Sequence, residues 1–418
     1  MSKRSMALAL VPLALVAAAC GGGDDGADTS SGTTAAATAG GGAGGGDCTL
    51  DSPLKIGFAA DLGELGAFSD QPGSEAAKVQ VDLLNEAGGV GGQPIEYVVK
   101  DIQGDPAATQ RAAQELLDDG VSALIGPPFA NTGIPLLDTV DGQVPIIFMA
   151  STDPQLADPE RGGFLASFSD PVQSAAAAEF AAEQGAETAV LFSSPEDVYF
   201  SGNPKYFAEA FEEGGGTIAR DFSFSLADED FSTQVNELAK LDPKPDVLFT
   251  PMVMPQIGTL LQQLQAAGVE LLVIGADSFD ATVVWSAGPV AEGVYFTAHT
   301  FPAEDNGVQA LLDAASDAGV ELETISFGAL AADAVQIIAH AAETACSIDG
   351  AELIATIDAI TDLEVTTGTV TYAGTGGVPE KDVAILTVTD GAPALETTLR
   401  PRSSPPTDAG ATCCRSRG

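Results

Sequence analysis

The chain has 418 residues, and 60 Asp or Glu against 16 Lys or Arg give it a formal net charge of -44 at pH 7. Such a surface repels phosphate backbones and anionic lipid heads, so nucleic acid is a poor partner. The acidic residues are spread along the chain, which indicates a solubilising surface and not an interaction tail. Hydrophobic residues make up 45% of the chain, enough for the cores of two or three domains.

The N-terminus has the pattern of an export signal. Lys3 and Arg4 precede an apolar segment, residues 6–19, that is too short for a stable membrane-spanning helix. The segment ends in LVAAAC, which resembles the lipobox of bacterial lipoproteins. Residues 1–20 are therefore predicted to be a lipoprotein signal peptide, with Cys20 as the acylated residue. The alternative is an ordinary cleaved signal with an incidental cysteine.

The segment after Cys20 is rich in glycine and has no large apolar side chain before Cys48. It cannot form a core, so residues 21–48 are predicted to be a flexible tether. A random coil of this length reaches roughly 25–30 Å. Cys20 would then hold a mobile domain at a membrane face, outside the cytoplasm.

From residue 54 onwards, short apolar segments alternate with segments of helical periodicity. The predicted strands are LKIGFAA, IEYVVKD, VSALIGP, VPIIFMA, TAVLFSS, DVLFTPM and ELLVIGAD. The first helix is predicted over residues 74–85. The second begins with a cap at Asp105 and Pro106 in its first turn, and it ends at Gly120. Near-continuous apolar strands separated by helices predict parallel sheets covered on both faces.

The alternation restarts after residue 168, which predicts a second α/β lobe. ALAADAVQIIAHAAETAC is the longest helical segment, and GTVTYAGTGGVPEKDVAILTVTDG is predicted to form a β-hairpin. Residues 399–418 show no apolar periodicity and are predicted to be a disordered tail. This tail contains the neighbouring residues Cys413 and Cys414, which are an awkward pair for one disulfide.

Ligands of open parallel sheets bind beyond the carboxyl ends of the strands. The loops at those ends are residues 61–71, 126–133, 150–154, 193–201, 250–255 and 275–280. They contain hydroxyl, amide, aromatic and acidic side chains but no Lys or Arg, which a phosphate or dicarboxylate site usually uses. Hydroxyls at a helix N-terminus can bind one carboxylate, and an acid can bind one ammonium. The loops therefore predict a small zwitterion or a neutral polar solute as the ligand.

Motifs for catalysis are absent from the sequence. It contains no GxSxG, P-loop or CxxC motif, its histidines His299 and His340 are far apart, and no Cys/His cluster has metal-ligand spacing. We therefore predict that the chain is not an enzyme and uses no metal or cofactor.

Several segments resemble a known family. LKIGFAADLGELGAFS, NEAGGVGGQPIEYVVKDIQGDPAATQRAAQELL and VSALIGPPFANTG resemble the leucine/isoleucine/valine-binding type of periplasmic solute receptor, and so do GVYFTAHTFPAED and ALAADAVQIIAHAA further on. The resemblance covers residues 54–390. It implies a type I periplasmic binding protein: two doubly wound parallel-sheet α/β lobes, joined by three crossovers, that close on a ligand for an ABC importer.

The resemblance also implies domain boundaries. The first lobe would contain residues 49–168 and 299–363, and the second lobe residues 169–298 and 364–398. The crossovers would then lie near Phe168, His299 and Leu363. Because the family order places Cys48 and Cys346 in the same lobe, it implies a disulfide between them.

The resemblance implies a ligand site shared by both lobes. The first lobe would bind the ligand carboxylate through the loops after the third and fourth strands, and the second lobe would supply an aromatic residue and an acid for the ammonium. Together with Phe68, the candidate residues are Asn131, Thr132, Ala150, Ser151, Thr152, Tyr199 and Asp277. Asn131 replaces an expected serine, and Val253-Met254 stands where another tyrosine is often found. Helix capping by Ser151, Thr152 and Asp277, and simple packing of Tyr199, are the structural alternatives.

We therefore predict an extracytoplasmic, lipid-anchored, monomeric receptor that delivers a branched-chain amino acid or a similar small polar solute to an ABC permease. The alternative is a sensory receptor of the same fold that acts on a signalling partner. A secreted lipoprotein hydrolase is a third possibility, which the absence of catalytic motifs disfavours.

Overall fold

The computed structural model describes residues 48–400, and the first of its sheets is parallel and has five strands. These strands are β1 (Leu54–Ala60), β2 (Ile95–Asp101), β3 (Ala123–Gly126), β4 (Ile146–Phe148) and β5 (Gly163–Leu165). Their order is β2-β1-β3-β4-β5. The predicted signal peptide with Cys20, the tether as far as residue 47 and the tail from residue 401 lie outside the described residues.

The second sheet has seven strands, five of them parallel. The parallel strands are β6 (Thr188–Ser193), β7 (Thr217–Ser223), β8 (Val247–Thr250), β9 (Leu272–Gly275) and β10 (Tyr295–Ala298). Next in the chain, β11 (Leu363–Val365) and β12 (Gly368–Val370) form a separate two-stranded sheet. The antiparallel strands β13 (Val383–Thr389) and β14 (Ala392–Leu399) complete the second sheet, in the order β14-β13-β10-β9-β8-β6-β7.

Helices connect most of the parallel strands. They are α1 (Ala67–Glu86), α2 (Pro106–Asp118), α3 (Ala130–Val140), α4 (Asp170–Glu183), α5 (Val198–Glu213), α6 (Ser232–Leu238), α7 (Gln256–Ala266), α8 (Thr282–Trp285), α9 (Val308–Asp317), α10 (Ile325–Ala345) and α11 (Gly350–Asp358). The sequence signals hold at α2, where Asp105 accepts the N–H of Ala108 at 2.7 Å and Pro106 is the first helical residue.

Each sheet and its helices pack around a separate core. We call residues 48–165 and 308–377 the first lobe, and residues 170–298 and 383–399 the second lobe. Helix α10 is long and apolar enough to cross a membrane, but it is mostly buried and packs against α1 as a core helix of the first lobe. The first two crossovers between the lobes are residues 166–169 and 299–307.

The third crossover lies later than its predicted position near Leu363. The hydroxyl of Tyr372 donates to the carbonyl of Leu165 at 2.6 Å, and the N–H of Leu165 donates to the carbonyl of Gly377 at 2.9 Å. The chain is therefore still attached to the first lobe at Gly377, and it joins the second sheet at Val383. The predicted boundary between residues 363 and 364 is wrong, because the segment that follows it packs on the first lobe.

The β-hairpin predicted within residues 368–391 is also wrong. β12 pairs with β11, whereas β13 pairs with β14 across the turn Asp390-Gly391. Both turn residues have positive φ angles, 54° and 75°, as a type I′ turn requires, and Asp-Gly is a preferred sequence for this turn. The turn therefore pairs Val383–Thr389 with the strand after it, and the residues between β12 and β13 form the third crossover.

Helix α1 begins earlier than the helix predicted over residues 74–85, so Phe68 lies on its first turn and not in a loop. The carboxylate of Asp61 accepts the N–H groups of Glu64 at 2.9 Å and Gly66 at 2.8 Å. These hydrogen bonds fix the turn that leads into the helix, because they satisfy backbone donors that would otherwise be unpaired.

A disulfide joins Cys48 to Cys346, with 5.4 Å between the two Cα atoms. Cys48 precedes β1, and Cys346 directly follows α10, so both half-cystines belong to the first lobe. The two residues are 298 positions apart in the sequence. Closing so long a loop restricts the unfolded chain and contributes about 3–5 kcal/mol to stability in the entropic description.

Candidate functional site

Two cavities lie at the carboxyl ends of the strands. One of about 150 Å³ lies between the lobes, and Glu64, Leu65 and Phe68 line it from the first lobe. The other, of about 230 Å³, is lined by first-lobe residues and shares Glu64 and Leu65 with the first. The predicted site residues Asn131 and Thr132 line this second cavity. The candidate residues therefore surround one edge of the sheets, as ligand sites of open α/β sheets do.

The structure brings the predicted residues Tyr199 and Asp277 into contact. The hydroxyl of Tyr199 donates to Oδ1 of Asp277 at 2.7 Å. Asp277 lies in a 3₁₀ turn after β9, and Tyr199 lies in the first turn of α5, where Asp197 caps the helix. Burial raises the pKa of Tyr199, so its hydroxyl remains protonated and can donate. This pair buries a carboxylate directly beside Ser278, which lines the cavity between the lobes.

His299 is a further member of this cluster that the sequence analysis missed. Its Nε2 lies 2.9 Å from Oδ2 of Asp277, and both side chains are buried. The ring of Phe168 stacks on the imidazole with 3.8 Å between the ring centroids. The position of His299 in the sequence could have identified it as a site residue, because it directly follows β10 and therefore lies at the same sheet edge as Asp277.

A second polar cluster surrounds Asp170 at the start of α4. Its Oδ1 accepts hydrogen bonds from the hydroxyl of Thr152 at 2.5 Å, from Nδ2 of Asn203 at 2.8 Å and from Nε2 of Gln173 at 3.1 Å. Burial raises the pKa of Asp170 to about 7, against the lowering effect of the hydrogen bond from Thr152. Thr152 therefore links the first lobe to the start of α4 in the second lobe.

Gln173 connects the two clusters. Its Oε1 accepts the N–H of Asp277 at 3.2 Å and the hydroxyl of Thr297 at 2.8 Å, while its Nε2 donates to Asp170. All of these groups are buried. The polar residues at the lobe junction therefore form one continuous hydrogen-bonded network.

The predicted hydroxyl groups differ in what they can offer a ligand. Thr132 donates to the carbonyl of Phe129 at 3.1 Å, and Thr152 donates to Asp170, so neither hydroxyl hydrogen is directed at the cleft. Ser151 accepts a long hydrogen bond from the N–H of Asp153 at 3.4 Å, which leaves its own hydrogen for an acceptor. Ala150 is buried beside it.

Aromatic rings from both lobes meet at the cleft. Phe129 of the first lobe packs into the core of the second, with ring centroids 5.8 Å from Tyr199 and 5.9 Å from Phe200. Phe68 contacts Phe327 at 5.4 Å. Phe129, Phe200 and Phe327 were not predicted as site residues, because an apolar residue after a strand or on a helix has the same local pattern whether it lines a core or a cleft.

The cleft is acidic. Buried or half-buried carboxyl groups at the junction belong to Asp153, Asp170, Asp197, Asp277 and Asp280. Burial raises the pKa of Asp280 to about 6. The linings of the two cavities contain no Lys or Arg. Among residues 48–400, no group of three His, Cys, Asp or Glu side chains could hold a metal ion.

The sequence model of the periplasmic binding protein family matches residues 53–393. Among curated proteins, the Leu/Ile/Val-binding protein homolog 3 of Brucella melitensis is 28% identical over 81% of this chain and 92% of its own length. The leucine-, isoleucine-, valine-, threonine- and alanine-binding protein of Pseudomonas aeruginosa is 24% identical over 79% of this chain and 89% of its own.

Solved structures share the fold. The leucine-binding protein LivK of Thermotoga maritima has a TM-score of 0.76 at 24% identity, covering 83% of this chain and 99% of that one. LivJ of Streptococcus pneumoniae, solved in complex with isoleucine, has a TM-score of 0.74 with the same identity and coverages. A solute-binding protein of R. palustris, solved with benzoate, has a TM-score of 0.74 at 18% identity, covering 84% and 97%. The type I fold expected from the sequence is confirmed.

Proposed function

The chain belongs to the periplasmic binding protein family, and on this premise we propose that the cleft between its lobes binds a branched-chain α-amino acid. Membership gives the chain the role of a solute-binding receptor outside the cytoplasm. The proposal concerns the identity of the ligand, the residues that bind it and the partner of the receptor. We propose that the partner is the permease of an ABC importer. The receptor would bind this permease as a monomer.

The charge of the cleft supports this ligand class. Proteins of this fold have been solved with an amino acid and with an aromatic acid, so the fold alone does not distinguish the two. The linings of both cavities carry carboxylates and no Lys or Arg. Benzoate would bring a net negative charge into this environment without a cation to pair with it, whereas a zwitterion brings an ammonium. The buried Asp277 carboxylate is the observation that carries the proposal.

In this proposal each part of the network has its own role. Asp277 binds the ammonium, with its oxygens oriented by Tyr199. The hydroxyl of Ser151, at the end of the fourth strand, donates to the ligand carboxylate, and Thr152 holds that loop on Asp170. The ring of Phe68 lines the apolar part of the cavity between the lobes, where a branched side chain would pack.

Calorimetric titration at pH 7.5 with L-leucine, L-isoleucine, L-valine and benzoate tests the ligand class. We expect the amino acids to bind and benzoate not to bind. Asp277→Asn keeps the size of the side chain but removes its charge, and a charge-assisted hydrogen bond contributes roughly 1.5–3 kcal/mol. Leucine affinity should therefore fall at least about tenfold, since about 1.4 kcal/mol corresponds to one decade.

The matched control is Asp317→Asn, which changes an exposed aspartate on α9 and should leave the affinity unchanged. Tight binding of benzoate, or an unchanged leucine affinity in Asp277→Asn, would contradict the proposed ligand or the proposed ammonium site.

We further propose that Cys20 carries a lipid anchor that keeps the receptor at the membrane. The basis is the LVAAAC pattern after a short apolar segment. Cys20→Ala should release the protein from carbonate-washed membranes into the soluble fraction. Retention of the variant in the membrane fraction would rule out this anchor.

A further inference from the structure

His299 connects the cleft to the second crossover. It directly follows β10, its Nε2 lies 2.9 Å from Oδ2 of Asp277, and its side chain is fully buried. We propose that His299 is a positioning and specificity-determining residue: as a neutral imidazole, it donates Nε2–H to Asp277 and holds this carboxylate for a ligand ammonium without neutralising its charge. This inference rests on the proposed function, because it requires Asp277 to bind the ammonium.

The surroundings of the ring favour the neutral form. Nε2 must carry a hydrogen to bond to the carboxylate, and Nδ1 is buried with no hydrogen-bond partner within residues 48–400. A neutral ring leaves only an unpaired acceptor at Nδ1, whereas an imidazolium would bury an unpaired charged N–H, which costs more free energy. Burial is also the main cause that lowers the pKa of His299, against the opposing effect of Asp277.

Charged groups on other elements have little net effect on the protonation state of His299. Lys381 in the third crossover disfavours the imidazolium, and Asp333 on α10 favours it. These two side chains form an ion pair at 3.0 Å, so their effects on His299 oppose each other. The third neighbour, Tyr199, bonds to the other oxygen of Asp277 as a neutral hydroxyl. Asp277 is therefore the one charged group in direct contact with the imidazole.

The protonation state of His299 decides what the cleft offers a ligand. Beside a neutral histidine, the charge of Asp277 is available to an incoming ammonium. Beside an imidazolium, Asp277 is already paired with a cation 2.9 Å away, which repels the ammonium and competes for the same oxygens. The affinity for an α-amino ligand should therefore fall as the pH is lowered.

His299 also links the ligand cleft to the first lobe. Its backbone N–H donates to the hydroxyl of Ser326, in the first turn of α10, at 3.2 Å, and the N–H of Ser326 donates to Asp280 of the second lobe, also at 3.2 Å. His299 is thus held at the junction by a side-chain bond to the second lobe and a backbone bond to the first. Because His299 and Asp277 follow the adjacent strands β10 and β9, the second sheet sets the position of the imidazole relative to the carboxylate.

The test compares three variants, with L-leucine as the probe. His299→Leu removes the donor, and we expect about a tenfold loss of affinity at pH 7.5. His299→Gln supplies an N–H donor that does not titrate, and it should recover most of the affinity lost in His299→Leu. His340→Gln changes the other histidine, which is half-buried on α10, and should behave as wild type at every pH.

The pH profile separates positioning from a merely structural role. Between pH 7.5 and pH 5.5, wild type should lose more leucine affinity than His299→Gln, because an imidazolium can form beside Asp277 only in wild type. Asp170 and Asp280 also titrate near this range, with pKa values of about 7 and about 6, but both proteins contain them, so the comparison isolates the histidine.

A measurement without ligand completes the test. In His340→Gln, His299 is the one remaining histidine, so ¹⁵N NMR reports its ring alone, and we expect the neutral Nε2–H form at pH 7. An imidazolium at pH 7, or wild-type leucine affinity in His299→Leu while Asp277→Asn loses it, would overturn the inference and leave the proposed function intact. Wild-type affinity in Asp277→Asn would instead overturn the proposed function itself.

Discussion

Two buried aspartates near the lobe junction have opposite surroundings. Asp333 on α10 pairs with Lys381 at 3.0 Å, and it also accepts the N–H of Thr367 at 3.0 Å and its hydroxyl at 2.5 Å. Asp277 accepts bonds from a tyrosine hydroxyl and an imidazole, and no Lys or Arg between residues 48 and 400 forms an ion pair with it. A buried acid whose charge is satisfied within the protein stabilises one arrangement of the chain. A buried acid held only by neutral donors keeps its charge for a ligand.

The ion pair also fixes a crossover. Lys381 belongs to the segment between Gly377 and Val383, and its Nζ donates to the hydroxyl of Thr367 at 2.7 Å as well as to Asp333. The third crossover is therefore fastened to α10 of the first lobe. The two aspartates thus mark a structural part of the junction around Asp333 and the proposed ligand-binding part around Asp277.

Replacing aspartate by asparagine should lower the stability of the protein at position 333 but not at position 277. Asp333→Asn leaves Lys381 as a buried, unpaired cation, and breaking a buried ion pair costs about 3–5 kcal/mol. We expect the free energy of unfolding to fall by this amount, measured by urea denaturation. The double variant Asp333→Leu with Lys381→Met removes both charges and should recover much of the loss. Equal losses in the single and double variants would contradict the assignment of Asp333 as an ion-pair residue.

Asp170 should make an intermediate contribution to the stability of the protein, and this contribution should depend on pH. Burial raises its pKa to about 7 from about 3.9 in the unfolded chain, so the folded state binds a proton that the unfolded state lacks between these values. Its contribution to stability is therefore full below about pH 4 and is lost as the pH rises through 7.

The variant Asp170→Asn isolates this contribution. Subtracting its free energy of unfolding from that of wild type should give a difference that falls by about 2–3 kcal/mol between pH 4.5 and pH 7.5, at about 1.4 kcal/mol per pH unit at most. Urea denaturation across this range measures the difference. A difference independent of pH would show that Asp170 titrates alike in both states.

Asp277→Asn should have the smallest effect on stability. Without ligand, the substitution removes a buried charge that has no cationic partner, so the free energy of unfolding should stay within about 1 kcal/mol of wild type or rise. Thermal denaturation of ligand-free protein checks this. A loss as large as that of Asp333→Asn would show that both aspartates are structural and would remove the basis of the comparison.

Most of the fold follows from local signals in the sequence. The buried parallel strands appear as continuous apolar segments, and α2 is marked by Asp105, Pro106 and Gly120 at its two ends. The late strands were mispaired because β13 could pair locally with either neighbour. Only its contact with β10 places it in the second sheet, and the paired residues, such as Tyr295 and Thr387, are about 90 positions apart. Such pairing depends on tertiary packing, which local periodicity does not contain.

The site was only partly predictable, for a related reason. Tyr199 and Asp277 were found because their position after a strand or at a helix start places them at the ligand edge of the sheet. His299 also follows a strand, but nothing local indicates that its ring reaches Asp277, which is 22 positions away. Among the described residues the imidazole at 2.9 Å is the partner of Asp277 that can become cationic, so it decides whether the cluster carries its own positive charge.

The disulfide between Cys48 and Cys346 has a mechanical consequence. A pulling force that enters the chain ahead of Cys48 reaches the covalent bridge before it reaches β1. Part of the load then passes to the end of α10, which is buried along most of its length against α1. Strand β1, which lies between β2 and β3 in the first sheet, is thereby shielded from being pulled away. A force applied ahead of Cys48 is therefore carried by the covalent bridge and the long core helix of the first lobe before it loads the sheet.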